Sequence, residues 1–215
     1  MISHVGFSTT RPVILKTVHN AIVDVAYALS EKHHFDNERF HGGRDVITTG
    51  LTLSNFVAGR STLGGVFHTL QDFYSHSNWV ELGNIAPYST LIKPEQPLQN
   101  LAGLSTPTCR NCIGGNCGTN LLEQSLLTSG YFNLFSKCSH GGSFDQTSTH
   151  DPVGGINKDA VDSSHGSLHQ KAADLAVDAT LELLEDIRQA VGDKNFLCKH
   201  FVCTSAIVEI NCIAK

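Results

Sequence analysis

The sequence is poor in charged residues and contains no long apolar run. Charged residues make up only 16% of its 215 residues, and the net charge is −5. Without an excess of positive charge, neither nucleic acid nor an anionic membrane surface is expected as a partner. No apolar run approaches the roughly 18 residues that a membrane-spanning helix requires, so we predict no transmembrane segment.

No signal peptide and no internal repeat is visible in the sequence. The N-terminal segment MISHVGFSTT has no basic stretch followed by an apolar one, so no signal peptide is visible. There is no N-x-S/T sequon that would point to glycosylation outside the cell. Apolar residues nevertheless make up 40% of the chain, which excludes a disordered protein and predicts a globular domain with a substantial core.

Helical periodicity is the strongest pattern that the sequence does contain. Apolar residues recur at i, i+3 and i+4 in segments that predict α-helices over residues 10–31, 44–58, 61–77 and 164–191. A short helix is also predicted at 119–127. Because no set of segments alternates as β-strands do, we predict a mainly α fold.

A long excursion without helical period separates the predicted helices at 61–77 and 164–191. Over about residues 84–160 proline, glycine, serine and asparagine become frequent, and four of the seven cysteines lie there: Cys109, Cys112, Cys117 and Cys138. Their spacing, with His140 nearby, fits either a structural zinc site or two disulfides. We favour disulfides, because the excursion has little apolar content of its own to keep it ordered.

Histidine is frequent, with 12 in the chain, and two of the predicted helices carry it in register. His68, Asp72 and His76 are spaced four residues apart, so they project from one face of the helix at 61–77. His165 and His169 repeat this spacing at the start of the last helix. A polar turn, the N-terminus and the approach to the last helix add further candidates: His34, Asp36, His4 and Asp162.

These residue types are those that bind zinc when a site stays open to water or substrate. Two helices and a turn that meet in a bundle would hold zinc between them, and a bound water of lowered pKa would attack an ester. The alternative is that each histidine pair is a solvated or hydrogen-bonded surface feature. Asp72 could also act by orienting a histidine rather than by binding the metal itself.

Five longer motifs give the chain a family resemblance. They are, in order, HTLQDFYSHSNWVELG, LLTSGYF, KCSHGGSFDQ, GGINKD and LHQKAADLAVDAT. On these motifs the chain resembles the N-terminal, Het-C-like region of the von Willebrand factor A domain-containing protein 7 family, over about residues 4–191. Members of this family are secreted or predicted to be secreted. The resemblance therefore implies an extracellular location and strengthens the expectation of disulfides.

The pattern is more distantly similar to the zinc-dependent phospholipase C and P1 nuclease superfamily. That similarity implies a helical domain of this type with one to three zinc ions, and in this chain the long Cys-bearing excursion would be added to it. It matches His68 and Asp72 to an H-x3-D ligand pair, with Asp72 in a bridging position. The other ligands that it implies are His4, His34, His76, His165 and His169, although His169 stands where the superfamily has a carboxylate. A further carboxylate, which would also act as the catalytic base, would come from Asp36 or Asp162.

The sequence thus predicts a Het-C-like domain over residues 1–192 and an atypical tail over 193–215. The segment VDSSHGS does not complete the DxSxS metal motif of a von Willebrand A domain, so that domain is predicted to be absent from the chain. The expected function is zinc-dependent hydrolysis of phosphoesters such as phospholipids. The alternatives are a non-catalytic extracellular module that binds another protein, or a truncated product of its gene.

Overall fold

The computed structural model describes residues 30–50, 56–114, 116–122, 125–132, 136–142 and 145–192. Three α-helices occur in these ranges: α1 (Phe40–Gly50), α2 (Phe56–His76) and α3 (His169–Val191). The β pairing found there consists of isolated bridges between loop segments. The prediction of a mainly α fold is therefore confirmed. None of the helices in the described ranges is long and apolar enough to span a membrane.

The helix boundaries differ from those predicted in ways that have local causes. α2 begins at Phe56, inside the segment predicted as the preceding helix. α3 begins at His169 rather than at residue 164, and a single turn of 3-10 helix precedes it. Gly166 lies directly against the backbone of Val161, where a Cβ atom would not fit. The chain therefore turns back on itself here before the α-helix can start.

The prediction of a short helix at 119–127 is wrong. Leu121 and Leu127 instead form isolated bridges to other loop segments. A helix of this length is only marginally stable by itself, so the packing of Leu121 in a small disulfide-centred core decides the conformation. The helix predicted at 10–31 falls almost wholly outside the described residues, and its last two residues are not helical.

The main core lies between α2 and α3. The buried face of α2 presents apolar side chains that its helical period predicts to point inward: Leu63, Val66, Leu70 and Phe73. Facing them, α3 contributes mostly small side chains, which let the two helices approach closely: Ala172, Ala173, Ala176, Ala179 and Leu183. Phe73 is also surrounded by aromatic rings whose centroids lie 5.0–6.2 Å from its own: Phe35, Phe40, Tyr74, Trp79 and Tyr88. This cluster anchors the segment before α1 and the start of the excursion to one core.

Two disulfides cross-link the excursion: Cys109–Cys138 and Cys112–Cys117. The expectation of disulfides rather than a cysteine zinc site is confirmed for these four residues. Leu121 and Ile156 pack against the first bond in a small core of their own. Gly154 lies against the second bond with a φ of 94°, a left-handed conformation that favours glycine. The tail predicted over residues 193–215, with its three cysteines, lies outside the described ranges.

Two buried lysines join the excursion to the helical part. Nζ of Lys137 lies 3.0 Å from Oε1 of Glu38 and donates to a backbone carbonyl of the excursion. Nζ of Lys158 lies 2.8 Å from Oε1 of Glu81 and donates to the carbonyl of Ser77, just after α2. A lysine is stable at this depth only when it is paired in such a way. These contacts therefore fix the loops firmly against the helices.

Candidate metal centre

One face of α2 is buried although it is polar. His68, Asp72 and His76 lie on it at the predicted spacing of four, and each residue is no more than 3% exposed. Polar side chains at this depth require partners, because leaving water without replacing its hydrogen bonds is costly. The partners come from the turn before α1 and from two parts of the excursion.

The turn before α1 brings His34 to this face. Its Nδ1 atom lies 3.3 Å from Nε2 of His68 and 3.6 Å from Oδ2 of Asp72. Phe35, the next residue, has a φ of 55° and buries its ring in the aromatic core. A left-handed conformation costs a bulky residue roughly 1–2 kcal/mol, so the packing of the ring holds the turn in place.

His34, His68 and Asp72 together form a group suited to a metal ion. Each offers one ligand atom, and these atoms all lie within 4.8 Å of one another. The side chain of His34 is 14% exposed and that of Asp72 only 4%, so the group is mostly buried and reaches solvent at His34. Three ligands with an open fourth position are typical of catalytic zinc sites.

The hydrogen bonding and protonation states of these side chains also suit the binding of a cation. Oδ2 of Asp72 is buried and makes no hydrogen bond, which leaves an electron-rich oxygen that a cation would satisfy. Burial lowers the pKa of His68 to about 4, so its imidazole is neutral at physiological pH. Neutral imidazole and ionised carboxylate are the forms in which these side chains bind metals.

His76 lies beside this group and has polar partners on both sides. Its Nδ1 atom lies 3.0 and 3.1 Å from the carbonyl oxygens of His140 and Ile156. Its Nε2 atom lies 3.7 Å from Oδ1 of Asp72 and 3.3 Å from Oδ1 of Asp159. Burial alone lowers the pKa of His76, but the two carboxylates outweigh burial and raise it. Burial alone raises the pKa of Asp72, but His76, together with His34 and His68, outweighs burial and holds that pKa well below its usual range.

Asp36, His140 and Asp159 complete the polar cluster. Asp36, a predicted base, is buried, and its Oδ1 atom lies 2.6 Å from Nδ1 of His140. The ring of His140 stacks on that of His76, with centroids 3.6 Å apart. Burial raises the pKa of Asp36, although the neighbouring His140 opposes this. Sequence reasoning did not place His140 and Asp159 at this site, because both lie on loops without helical spacing; the motifs KCSHGGSFDQ and GGINKD contain them.

His165 and Asp162 lie apart from the three-ligand group. His165 is buried before α3 begins, with Nδ1 2.7 Å from Oε1 of Glu81 and Nε2 3.0 Å from Oδ1 of Asn120. Because it precedes α3, it does not share a helix face with His169, and the predicted register of this pair is wrong. Asp162 lies on an exposed turn.

His169 is the first residue of α3 and is half-buried. Its Nδ1 atom lies 2.6 Å from the carbonyl oxygen of Lys158. A proton donated to that carbonyl leaves Nε2 with the lone pair, which is the state of a histidine that binds metal. His4 lies outside the described residues. Three of the seven predicted ligands therefore form the compact group in the part of the chain that the structure describes.

Glu81 is expected to make stability depend on pH in the acid range. Burial alone raises the pKa of its carboxyl group, but Lys158 and His165 outweigh burial and lower it to about 2. A lowered pKa in the folded state contributes stability above the ordinary value of 4.5, and this contribution is lost as the pH falls from there towards 2. Glu81→Gln should therefore destabilise the protein near neutral pH and have a smaller effect near pH 3. Urea unfolding of both proteins across this range measures the difference, and a difference that does not shrink would contradict the assignment.

Comparison with known proteins identifies a family and several relatives. The family model for the VWA7 N-terminal domain matches residues 4–197. The von Willebrand factor A domain-containing protein 7 of Mus musculus is 44% identical over 178 residues, which cover 76% of this chain and 20% of the relative. The Homo sapiens protein of that name is 44% identical over 179 residues, and the Rattus norvegicus protein is 42% identical over 178, with the same coverage. The chain thus spans about a fifth of the length of these relatives. No solved structure matches it.

Proposed function

This chain belongs to the VWA7 N-terminal domain family, and we propose that it is a zinc-binding domain that hydrolyses phosphoesters. The observation that carries the proposal is the convergence of His34, His68 and Asp72, whose ligand atoms lie within 4.8 Å of one another. The buried Oδ2 atom of Asp72, which makes no hydrogen bond, supports a cation at this point. The partial exposure of His34 supports access for a substrate.

His34, His68 and Asp72 are the residues that would hold the first zinc ion. When bound, zinc supplies a Lewis acid that polarises a phosphoester and lowers the pKa of water. The two oxygens of Asp72 face different histidines, Oδ2 towards His34 and Oδ1 towards His76. Asp72 would therefore hold an ion beside His34, and its second oxygen would remain available on the side of His76, in keeping with the bridging role that the superfamily similarity implies.

Asp36 and His140 are the proposed residues for proton transfer during hydrolysis, with Asp36 as the base. Oδ1 of Asp36 accepts the proton of Nδ1 of His140 at 2.6 Å, which orients the ring and leaves the lone pair on Nε2. The side chain of His140 is 15% exposed, so it is partly accessible to solvent. Of the two alternative bases predicted from the sequence, Asp36 is retained with His140 as its partner, and Asp162 is not, because it lies on an exposed turn.

Phospholipid is the proposed substrate class, and the outside of the cell is the proposed location. The substrate class comes from the similarity to the phospholipase C superfamily. The location is supported by the two disulfides, which persist in oxidising compartments and are rare in reducing ones.

A non-catalytic extracellular module is the second candidate function. The position of His165 favours it, since this residue is held by Glu81 and Asn120 rather than by the three-ligand group. Without His165 the ligand set that the superfamily similarity implies is incomplete, and an ion held by the remaining residues would stabilise the fold without turnover. In that case the domain would bind another extracellular protein.

Metal content tests the proposal most directly. The protein would be made in an oxidising compartment without a histidine tag and measured by plasma mass spectrometry. We expect at least one zinc ion per chain, and zinc-dependent hydrolysis of phosphatidylcholine vesicles or of bis(p-nitrophenyl) phosphate. The metal-stripped protein, with and without zinc added back, is the control. A folded protein that takes up no zinc would contradict the proposal, and zinc without hydrolysis would favour the non-catalytic module.

A further inference from the structure

Lys158 forms hydrogen bonds with the two residues that flank His76 in the sequence. It is fully buried, with an exposure of 0%. Its backbone N–H donates to the carbonyl of Ser75 at 3.2 Å, and its ammonium group donates to the carbonyl of Ser77 at 2.8 Å. Because Ser75 and Ser77 flank His76, Lys158 holds the end of α2 before and after this histidine.

Other bonds of Lys158 reach the start of α3 and the carboxylate next to it. Its carbonyl oxygen accepts the proton of Nδ1 of His169 at 2.6 Å. The residue that follows it, Asp159, places Oδ1 3.3 Å from Nε2 of His76. Its ammonium group also lies 2.8 Å from Glu81, which keeps the charge paired. One residue thus connects the end of α2, the start of α3 and a carboxylate of the cluster.

We propose that Lys158 is a positioning residue for the metal centre, which fixes His76, His169 and Asp159 relative to one another. The inference rests on the proposed metal site. Lys158 binds no metal itself, because its ammonium group is held by a carbonyl and a carboxylate. It acts through the two histidines, whose Nδ1 atoms both face backbone carbonyls, an arrangement that orients ligating histidines.

Lys137 provides a matched comparison that separates positioning from stability. It too is buried, lies 3.0 Å from a glutamate, Glu38, and donates to a backbone carbonyl. Its bonds run to Glu38, just before α1, and to the carbonyl of Gly103 in the excursion, and neither reaches His76 or His169. A role in stability alone would make the two lysines equivalent, whereas a positioning role would distinguish them.

The test uses two double variants of the whole chain, Lys158→Met with Glu81→Gln and Lys137→Met with Glu38→Gln. Each removes both members of an ion pair, so neither leaves a buried charge without a partner. Co²⁺ binding is followed by its visible absorption, and the side-chain nitrogens of the histidines are followed by NMR without metal. For the Lys158 variant we expect Co²⁺ affinity to fall about 10–100-fold and the signals of His76 to shift, because the ammonium bond to the carbonyl of Ser77 is lost. The signals of His169 should shift less, since the variant keeps the backbone carbonyl that faces this histidine. The Lys137 variant should change neither the affinity nor these signals.

Each outcome decides the proposal. Unchanged Co²⁺ affinity together with unchanged imidazole signals in the Lys158 variant would overturn it, as would equal changes in the two variants. If the parent protein binds no Co²⁺, the proposed function fails, yet the metal-free imidazole signals still decide whether Lys158 fixes the two histidines. Shifted signals would then support its positioning role, and unchanged signals would refute it.

Discussion

A variant with both His68→Ala and Asp72→Ala is expected to take up no zinc at the proposed centre. The two side chains supply two of the three converging ligand atoms, including the buried oxygen that makes no hydrogen bond. His34 alone would remain, and a single imidazole does not hold zinc against water. Zinc content after dialysis, measured by plasma mass spectrometry, should fall from at least one ion per chain to none.

The matched control carries His41→Ala and Asp174→Ala, a histidine and an aspartate that are both exposed. It removes the same side-chain types and should keep the zinc of the parent protein. The zinc-loaded parent should also melt at a higher temperature than its metal-free form, because a ligand that binds only the folded state stabilises it. The site assignment is wrong if the His68 and Asp72 variant retains as much zinc as the control.

Removing the disulfide between Cys109 and Cys138 with two alanines is expected to destabilise the domain by about 3–4 kcal/mol in free energy of unfolding. The bond joins residues 29 apart in sequence, so it restricts a large loop of the unfolded chain. Both sulfur atoms are buried against Leu121 and Ile156, and alanine leaves no unpaired polar group among them. Urea unfolding of the oxidised proteins measures the change.

The second disulfide supplies the control for loop size. Cys112 and Cys117 are only 5 residues apart, so their replacement by alanine should cost less, about 2 kcal/mol. If the two variants lose equal stability, the size of the loop that each disulfide closes does not determine how much it stabilises the domain. If neither loses stability, the excursion is held by the buried lysines and not by its cross-links.

The residues on α2 could be found from the sequence because a helix imposes a period. His68, Asp72 and His76 share a face whatever the rest of the chain does, and the structure places them together on α2. The same rule predicted a shared face for His165 and His169, and it was wrong because α3 begins at His169. Helix starts are set by contacts such as that of a glycine with a distant backbone, which no local pattern encodes.

The loop residues of the cluster could not be found in this way. His140 and Asp159 reach the site because disulfides, bridges and buried lysines fold the excursion over α2. Sequence spacing does not carry that information, since loops have no fixed period. The family motifs contained both residues, but a motif does not say which of its members meet in space.

The cluster is assembled from parts of the chain that lie far apart in sequence. His34 and His68 are separated by 34 residues, and Asp36 and His140 by 104. Each such contact closes a large loop, whose entropic cost delays the contact relative to local helix formation. The complete cluster therefore exists only after the turn with His34 and the excursion with His140 and Asp159 have folded over α2. Zinc would not nucleate the folding of this chain; the domain would form first, with its histidines in place, and acquire the ion afterwards.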